Sequence, residues 1–464
     1  MEKEIKIDPF SLKGYELFIK CKRLPNYKVR GNKVFTDLIS YNHIFGKKKI
    51  ENIKLKNNNY LFDYQKWVIN KALENKNYAA FLDCGLGKSL IELNWANSVS
   101  KLGKVIILCP LSVINELYKD NEKYSHFKLY NLRKNKKWNS GIGIINYECM
   151  RKIDMKNVIG ICVDEASILK NGNGEIRKYL TDLQINCEYR LTCSATPAPN
   201  DQSEYACQAV FLNQANNLKE YYSRYFRKDG TKWIMKGHAE NSFYENLNTW
   251  ACYIENPIKL GFEKGGYLSQ QPEYIELRCA TLKKYIRRNS FFHSEISLKD
   301  FQKIAGQLRS DPEEPRFIES LKAIKNHNAI IWCIRNSEQA LYKKYLKGSI
   351  VIDGQTPIEK RIEIINEFKR GNIQYLISKP KVLGFGVNLQ EASAHLYSGY
   401  DFSFERFYQA VRRSHRYGRK GRLKVYIPLS SVEYPVYEIL RRKLNTFEKD
   451  VLQLQNKFDI GAIK

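Results

Sequence analysis

Two short segments of this 464-residue sequence carry side chains suited to handling phosphate. In the first, FLDCGLGKSL at residues 81–90, Gly85, Leu86, Gly87, Lys88 and Ser89 follow an apolar run. They precede LIELNWANSV, whose apolar residues recur at helical spacing. A strand, a tight loop and a helix in that order make an anion cradle. Glycines let successive N–H groups curl inward, and a helix N-terminus favours negative charge. Lys88 would reach the outer phosphates and Ser89 a magnesium ion. The usual spacing of such a loop has another glycine five residues before Gly87, where this chain has Leu82, so GLGKS needs support from elsewhere.

The second segment, ICVDEAS at residues 161–167, is an apolar strand that ends in two adjacent carboxylates. Asp164 can hold Mg²⁺ through water, and Glu165 can polarise a water that attacks a phosphoryl group. Small hydroxyl residues end another strand in LTCSATPAPN, residues 191–200, as a segment that senses the γ-phosphate would. In FERFYQAVRRSHRYGRKG, residues 404–421, Gln409, Arg413 and Arg416 stand four and three apart, which predicts one shared helical face. Two guanidiniums on a γ-phosphate are worth about 10³ to 10⁵ in rate. The same spacing also suits a basic helix facing DNA. Before it, ISKPKVLGFGVNLQEAS has a glycine-rich loop at Gly384 and Gly386, followed by Asn388, that can approach a phosphate backbone closely.

These residues must be positioned by the elements between them. Apolar runs, each followed by a helical pattern, recur as AAFLD, KVIILCP, IGIINYE, VIGICVDEAS and YRLTCSATP. The rhythm resumes as NAIIWCI, GSIVIDG, IQYLIS, AHLYSG and LKVYIPL. Continuous apolar strands alternating with helices imply parallel sheets covered on both faces, here in two tandem α/β domains. The expected division is a basic N-terminal segment over 1–60, domain one over 61–215, an insertion or linker over 216–315, domain two over 316–430, and C-terminal helices over 431–464. The insertion assignment rests on turn-rich patches such as RKDGTKW. No strand-separating wedge is legible.

Lys and Arg number 77 against 49 Asp and Glu, a net charge of +28 that favours a polyanionic partner. Eleven cysteines without a C-x-x-C pair argue for reduced thiols in a cytoplasmic compartment and against a disulfide framework. No run approaches the ~18 apolar residues of a membrane helix.

In order, YQKWVINKAL, DCGLGKS, LCPLSVINEL, INYE, VDEAS, CSATPAPN, VIDGQTPIEKRIEIINEF, LGFGVNLQEAS and YQAVRRSHRYGR resemble the serial motifs of superfamily 2 helicases, most of all the Swi/Snf-type DNA translocase ATPases. The resemblance runs from about Leu61 to Lys443. It implies two RecA-like domains with ATP in the cleft between them. In that reading Gln65 reads the adenine edge, and Gly85, Leu86, Gly87, Lys88, Ser89 and Gly386 contact nucleotide. Ser89 and Asp164 serve Mg²⁺, Glu165 is the base, and Gln409, Arg413 and Arg416 complete the site. Pro110, Ser112, Asn146, Tyr147, Gly384 and Asn388 fall in segments that touch nucleic acid in the family. Ser167 departs from the frequent His, CSAT from LTGT, and Arg419 from Gln. The implied function is ATP-dependent tracking on duplex or single-stranded DNA in replication, recombination or repair, with RNA a less favoured partner. The compact length points to a phage or another mobile low-GC genome. An RNA helicase and a non-hydrolysing ATP-dependent clamp are the alternatives.

Overall fold

In the computed structural model the described residues are 2–22, 24, 27–37, 41, 55, 58–134, 138–170, 174–182, 187–262, 270–282, 298–383, 387–399, 403–416, 419 and 421–456. They form two compact units, residues 1–266 with 447–464, and residues 267–446.

The first unit opens with a small antiparallel sheet of β1 (Glu2–Lys6), β2 (Tyr27–Arg30) and β3 (Lys33–Asp37), with β3 in the middle and the helix Leu12–Lys22 beside it. Its main body is a seven-stranded, all-parallel sheet. The strands in chain order are β4 (Asn77–Leu82), β5 (Lys104–Cys109), β6 (Leu129–Asn131), β7 (Ile142–Asn146), β8 (Val158–Asp164) and β9 (Tyr189–Ser194). A separate hairpin, β10 (Phe226–Asp229) with β11 (Lys232–Met235), comes next, and β12 (Ala251–Ile254) completes the large sheet in the order β12-β4-β9-β8-β5-β7-β6. Every residue of β4 and β5 is buried, as a strand covered on both faces requires. The helix Lys88–Val99 is buried nearly all round, Trp95 included, so it belongs to the core rather than to the surface. Its first turn is thereby fixed at the carboxyl end of β4, where a loop can meet a ligand.

The second unit holds a six-stranded parallel sheet in the order β13-β18-β17-β14-β16-β15. Its strands are β13 (Glu273–Arg278), β14 (Ala329–Trp332), β15 (Ile350–Ile352), β16 (Tyr375–Ser378), β17 (Ala394–Tyr397) and β18 (Lys424–Leu429). Behind the sheet a buried Glu433 pairs with Arg309 at 2.5 Å and Arg316 at 2.9 Å. Arg316 also donates to the carbonyls of Ser398 and Pro428, so one guanidinium ties three segments together.

Both α/β halves thus match the expected fold class, and all ten apolar runs form strands. The expected boundaries do not hold. Residues 216–315 are not a separate insertion: β12 within them is an edge strand of the first sheet and β13 an edge strand of the second. The C-terminal segment is one helix, Tyr434–Asn456, whose end belongs to the first unit. There Asp450 accepts hydrogen bonds from Tyr244 (2.6 Å) and Gln202 (2.5 Å), and the Phe447 ring meets Tyr253 edge-on.

Candidate active site

Gly85 and Gly87 both have left-handed backbone, with φ of 87° and 72°. A side chain at Gly87 would also collide with Gln65, since a Cβ there would lie 2.3 Å from its Nε2. The loop therefore needs glycine for conformation and for space. Gly87 caps the helix Lys88–Val99 without any side-chain hydrogen bond, which leaves the first-turn N–H groups directed into the loop. Gln65 braces this arrangement. Its Oε1 accepts from the Phe62 N–H at 3.0 Å, and its Nε2 donates to the Leu86 carbonyl at 3.1 Å, beside the Tyr64 hydroxyl at 2.9 Å. The Gln65 amide is thus buried and committed to the loop's backbone rather than open at its surface.

Lys88 is half-buried and donates to the carbonyls of Leu82 (3.1 Å) and Asp83 (3.4 Å). Burial by itself would lower its pKa, but the Cys84 thiol and the carboxylates of Glu165, Asp164 and Asp83 outweigh that and raise it, so the ammonium stays charged. Ser89 follows as the second residue of the helix and is partly exposed.

Asp164 ends β8 and is buried. Its Oδ1 accepts from the Glu165 N–H at 2.9 Å, and its carbonyl accepts from the Tyr147 hydroxyl. Glu165 then turns the chain into left-handed backbone, φ 49°, a conformation that costs a non-glycine residue of order 1 kcal/mol. This sharp turn separates the two carboxylates, leaving Asp164 in the core and Glu165 partly exposed. Behind Asp164 lies Glu92, buried on the next turn of the helix after Lys88. Desolvation, and then the negative charge of Asp164 and the Cys193 thiol, push the Glu92 carboxyl well above the usual carboxylate range. The SAT segment is locked into the core: Thr196 N–H donates to Ser194 Oγ at 3.1 Å, and Gln208 bridges Thr192 and the Pro197 carbonyl.

In the second unit the helix Phe404–Val411 ends before the arginines. Gln409 is in its last turn and buried; Arg413 falls in a tight turn beyond it, and Arg416 follows that turn. The single helical face expected from their spacing is therefore not formed. The Arg413 N–H bonds the Ala410 carbonyl and the Ser414 and His415 N–H groups both bond that of Val411, which tightens the chain just past the helix. His395 fixes these turns from β17. Trp332 Nε1 donates to its Nδ1 at 3.2 Å, which leaves Nε2 as the donor to Ser414 Oγ at 2.7 Å. Burial and then the Arg419 charge lower the His395 pKa to about 3, so the ring is neutral. Arg419 donates to the carbonyls of Gln390 (2.8 Å) and Ala392 (2.7 Å), and Leu389 N–H to the Arg413 carbonyl (2.9 Å). The segment after the glycine-rich loop is thus stitched to the arginine turns.

The residues expected to touch nucleic acid divide. Pro110 and Ser112 lie in an accessible turn after β5, closed by Val113 N–H on the Pro110 carbonyl. Asn146 and Tyr147 are buried instead, Asn146 bonded to Glu148 and Tyr147 to Asp164. The expected nucleic-acid contact is not open to these two side chains; Tyr147 holds the acidic strand end. Asn388 is partly exposed and closes a local turn through Gln390 N–H at 3.2 Å. Gly384 and Gly386 lie outside the described residues.

Residues 314–418, which carry Gln409, Arg413 and Arg416, match the helicase conserved C-terminal domain. Across both units the chain is 24% identical to the SWI/SNF-related matrix-associated actin-dependent regulator of chromatin subfamily A-like protein 1 homolog of Caenorhabditis elegans, over 83% of this chain and 61% of that protein. These likenesses support reading the chain as a superfamily 2 ATPase of Swi/Snf type. The TATA-binding protein-associated factor MOT1 of Saccharomyces cerevisiae is 27% identical over 34% of this chain and 9% of its own length. The SWI2/SNF2 ATPase core of Sulfolobus solfataricus, solved in complex with dsDNA, aligns over 87% of this chain and 94% of that one, at 18% identity and a TM-score of 0.42. The chain thus spans about three-fifths of the first relative and a small part of the second. The motif words include Tyr147 only as a nucleic-acid contact, and they include neither Glu92 nor His395. Tyr147, Glu92 and His395 each act through a partner distant in sequence, and the one advance signal is a polar residue inside an otherwise apolar run.

Proposed function

We propose that this protein hydrolyses ATP and uses the cycle to move along duplex DNA. The observation that carries the reading is the charged Lys88 ammonium among Glu165, Asp164 and Asp83, at a loop whose two left-handed glycines turn backbone N–H groups inward. That combination binds a polyphosphate and leaves a carboxylate, Glu165, to orient the attacking water. The residues also suit Mg²⁺. Asp164 and Ser89 would hold it, and it would neutralise charge on the phosphate oxygens. Hydrolysis draws on the second unit through Gln409, Arg413 and Arg416, the arginines stabilising charge that develops on the γ-phosphate. DNA as the track is supported by the net charge of +28 and by the family. Replication, recombination or repair is the setting we propose for such a motor.

Steady-state ATP hydrolysis measured with duplex DNA, single strands and RNA, with Lys88→Ala as control, tests this. Stimulation by duplex DNA that vanishes in Lys88→Ala supports it. Stimulation by RNA alone favours an RNA motor, and nucleotide binding without turnover favours a clamp.

A further inference from the structure

The hairpin β10–β11 projects from the first unit through a two-residue turn, Gly230–Thr231, with left-handed backbone at Gly230 (φ 56°). An isolated two-stranded ribbon is marginal in water. Here its inner face is fastened: Trp233 stacks on Tyr222 with ring centroids 4.5 Å apart and planes 18° apart, and the buried Phe226 meets Phe243 edge-on. Lys236 closes the base by donating to the carbonyls of Tyr225 through its N–H (3.0 Å) and of Ser223 through Nζ (2.6 Å). Strand alternation then commits the opposite face to solvent. Arg227 pairs in register with Ile234 and Asp229 with Lys232, and all four are exposed, Ile234 at 40%. Among the described residues neither Arg227 nor Lys232 has an ion-pair partner.

A ribbon whose free face sets one aliphatic side chain beside Arg227 and Lys232, with Asp229 the one carboxylate among those four residues, has a limited set of partners. A protein interface depletes Lys and needs a wider apolar core than one isoleucine. A membrane surface would want several apolar anchors. The duplex groove admits a two-stranded ribbon, its phosphate rims attract the cations, and an apolar side chain can press on the sugars and base edges within. The deep, narrow major groove of A-form RNA does not admit such an element.

We propose that the outer face of β10–β11 is a duplex-DNA contact in which Arg227 and Lys232 take phosphates and Ile234 sits inside the groove. This rests on the reading of DNA as the track and adds a grip outside the helicase motifs.

The test uses the full chain and a fluorescently labelled duplex, with affinity measured by anisotropy across a salt series. Arg227→Ala/Lys232→Ala is expected to weaken binding about tenfold and to reduce the salt slope by about two, roughly 0.9 for each phosphate no longer neutralised. ATP hydrolysis without DNA should stay at the parental rate, because the hairpin carries no residue of the nucleotide site. Ile234→Ala is expected to weaken binding about threefold with the slope unchanged, because it removes apolar surface and no charge. A double variant with parental affinity and slope, while DNA still stimulates hydrolysis, overturns the proposal and leaves the motor reading intact. A parent protein that neither binds duplex DNA nor responds to it overturns both.

Discussion

Gly87 shows how tightly a single position can be determined. Its left-handed backbone and the 2.3 Å approach of Gln65 leave no room for a methyl group. Gly87→Ala is expected to cost about 1–2 kcal/mol and to weaken ATP binding, read by thermal unfolding and by fluorescent-nucleotide titration. Tyr147 is a different case. Its hydroxyl serves the Asp164 carbonyl, and Tyr147→Phe leaves that buried acceptor unmatched at a cost of about 1–3 kcal/mol. A fall in kcat beyond what the stability loss explains would show that the bond positions the acidic pair. The sequence makes Lys88, Asp164 and Glu165 legible because each stands in a local strand–loop pattern. The roles of Tyr147 and His395 are not legible, because their partners are 17 and 19 residues away and are found only after the sheet has formed.

The strands divide in the same way. Nine of the ten runs form inner strands, continuous and apolar because both faces are covered, and such runs can be read directly; the tenth, β15, is an edge strand. The edge strands β6, β12 and β13 escape such a reading: β6 has three residues, and β13 alternates polar with apolar side chains as a half-covered strand does. The helix over Gln409 reads correctly, but its end does not, since helix termination depends on local turns that spacing alone cannot show. Among the elements, the ion-paired Glu433 offers a sharp test. Burial alone would push its carboxyl up, but Arg316 and Arg309 outweigh burial and hold it below the usual carboxylate range. Glu433→Gln leaves two guanidiniums without their counter-charge and should destabilise the second unit by about 3–5 kcal/mol in denaturant unfolding.

At the scale of the whole chain, the helix Tyr434–Asn456 begins in the second unit and ends in the first, where Asp450 receives Tyr244 and Gln202. Desolvation outweighs those hydrogen bonds and raises the Asp450 pKa to about 6. The folded state therefore binds more protons than the unfolded state between about pH 4 and 6, and this contribution to stability is lost as pH rises through that window. Asp450→Asn should flatten that part of the stability–pH curve, as thermal unfolding across pH would show. Such long-range closure is invisible to a linear reading, in which the C-terminal helix is an extension of its own. The two α/β halves are visible because their rhythm repeats along the chain.

The proposed function requires Lys88, Asp164 and Glu165 of the first unit and Arg413 and Arg416 of the second to serve one ATP-hydrolysis cycle. Steady-state ATP hydrolysis with and without duplex DNA, for the parent, Glu165→Gln and Arg413→Ala, tests it most directly. The account predicts DNA-stimulated turnover in the parent and a loss of about 10³-fold in each variant, with DNA binding retained. Parental turnover in either variant, both correctly folded, would contradict it.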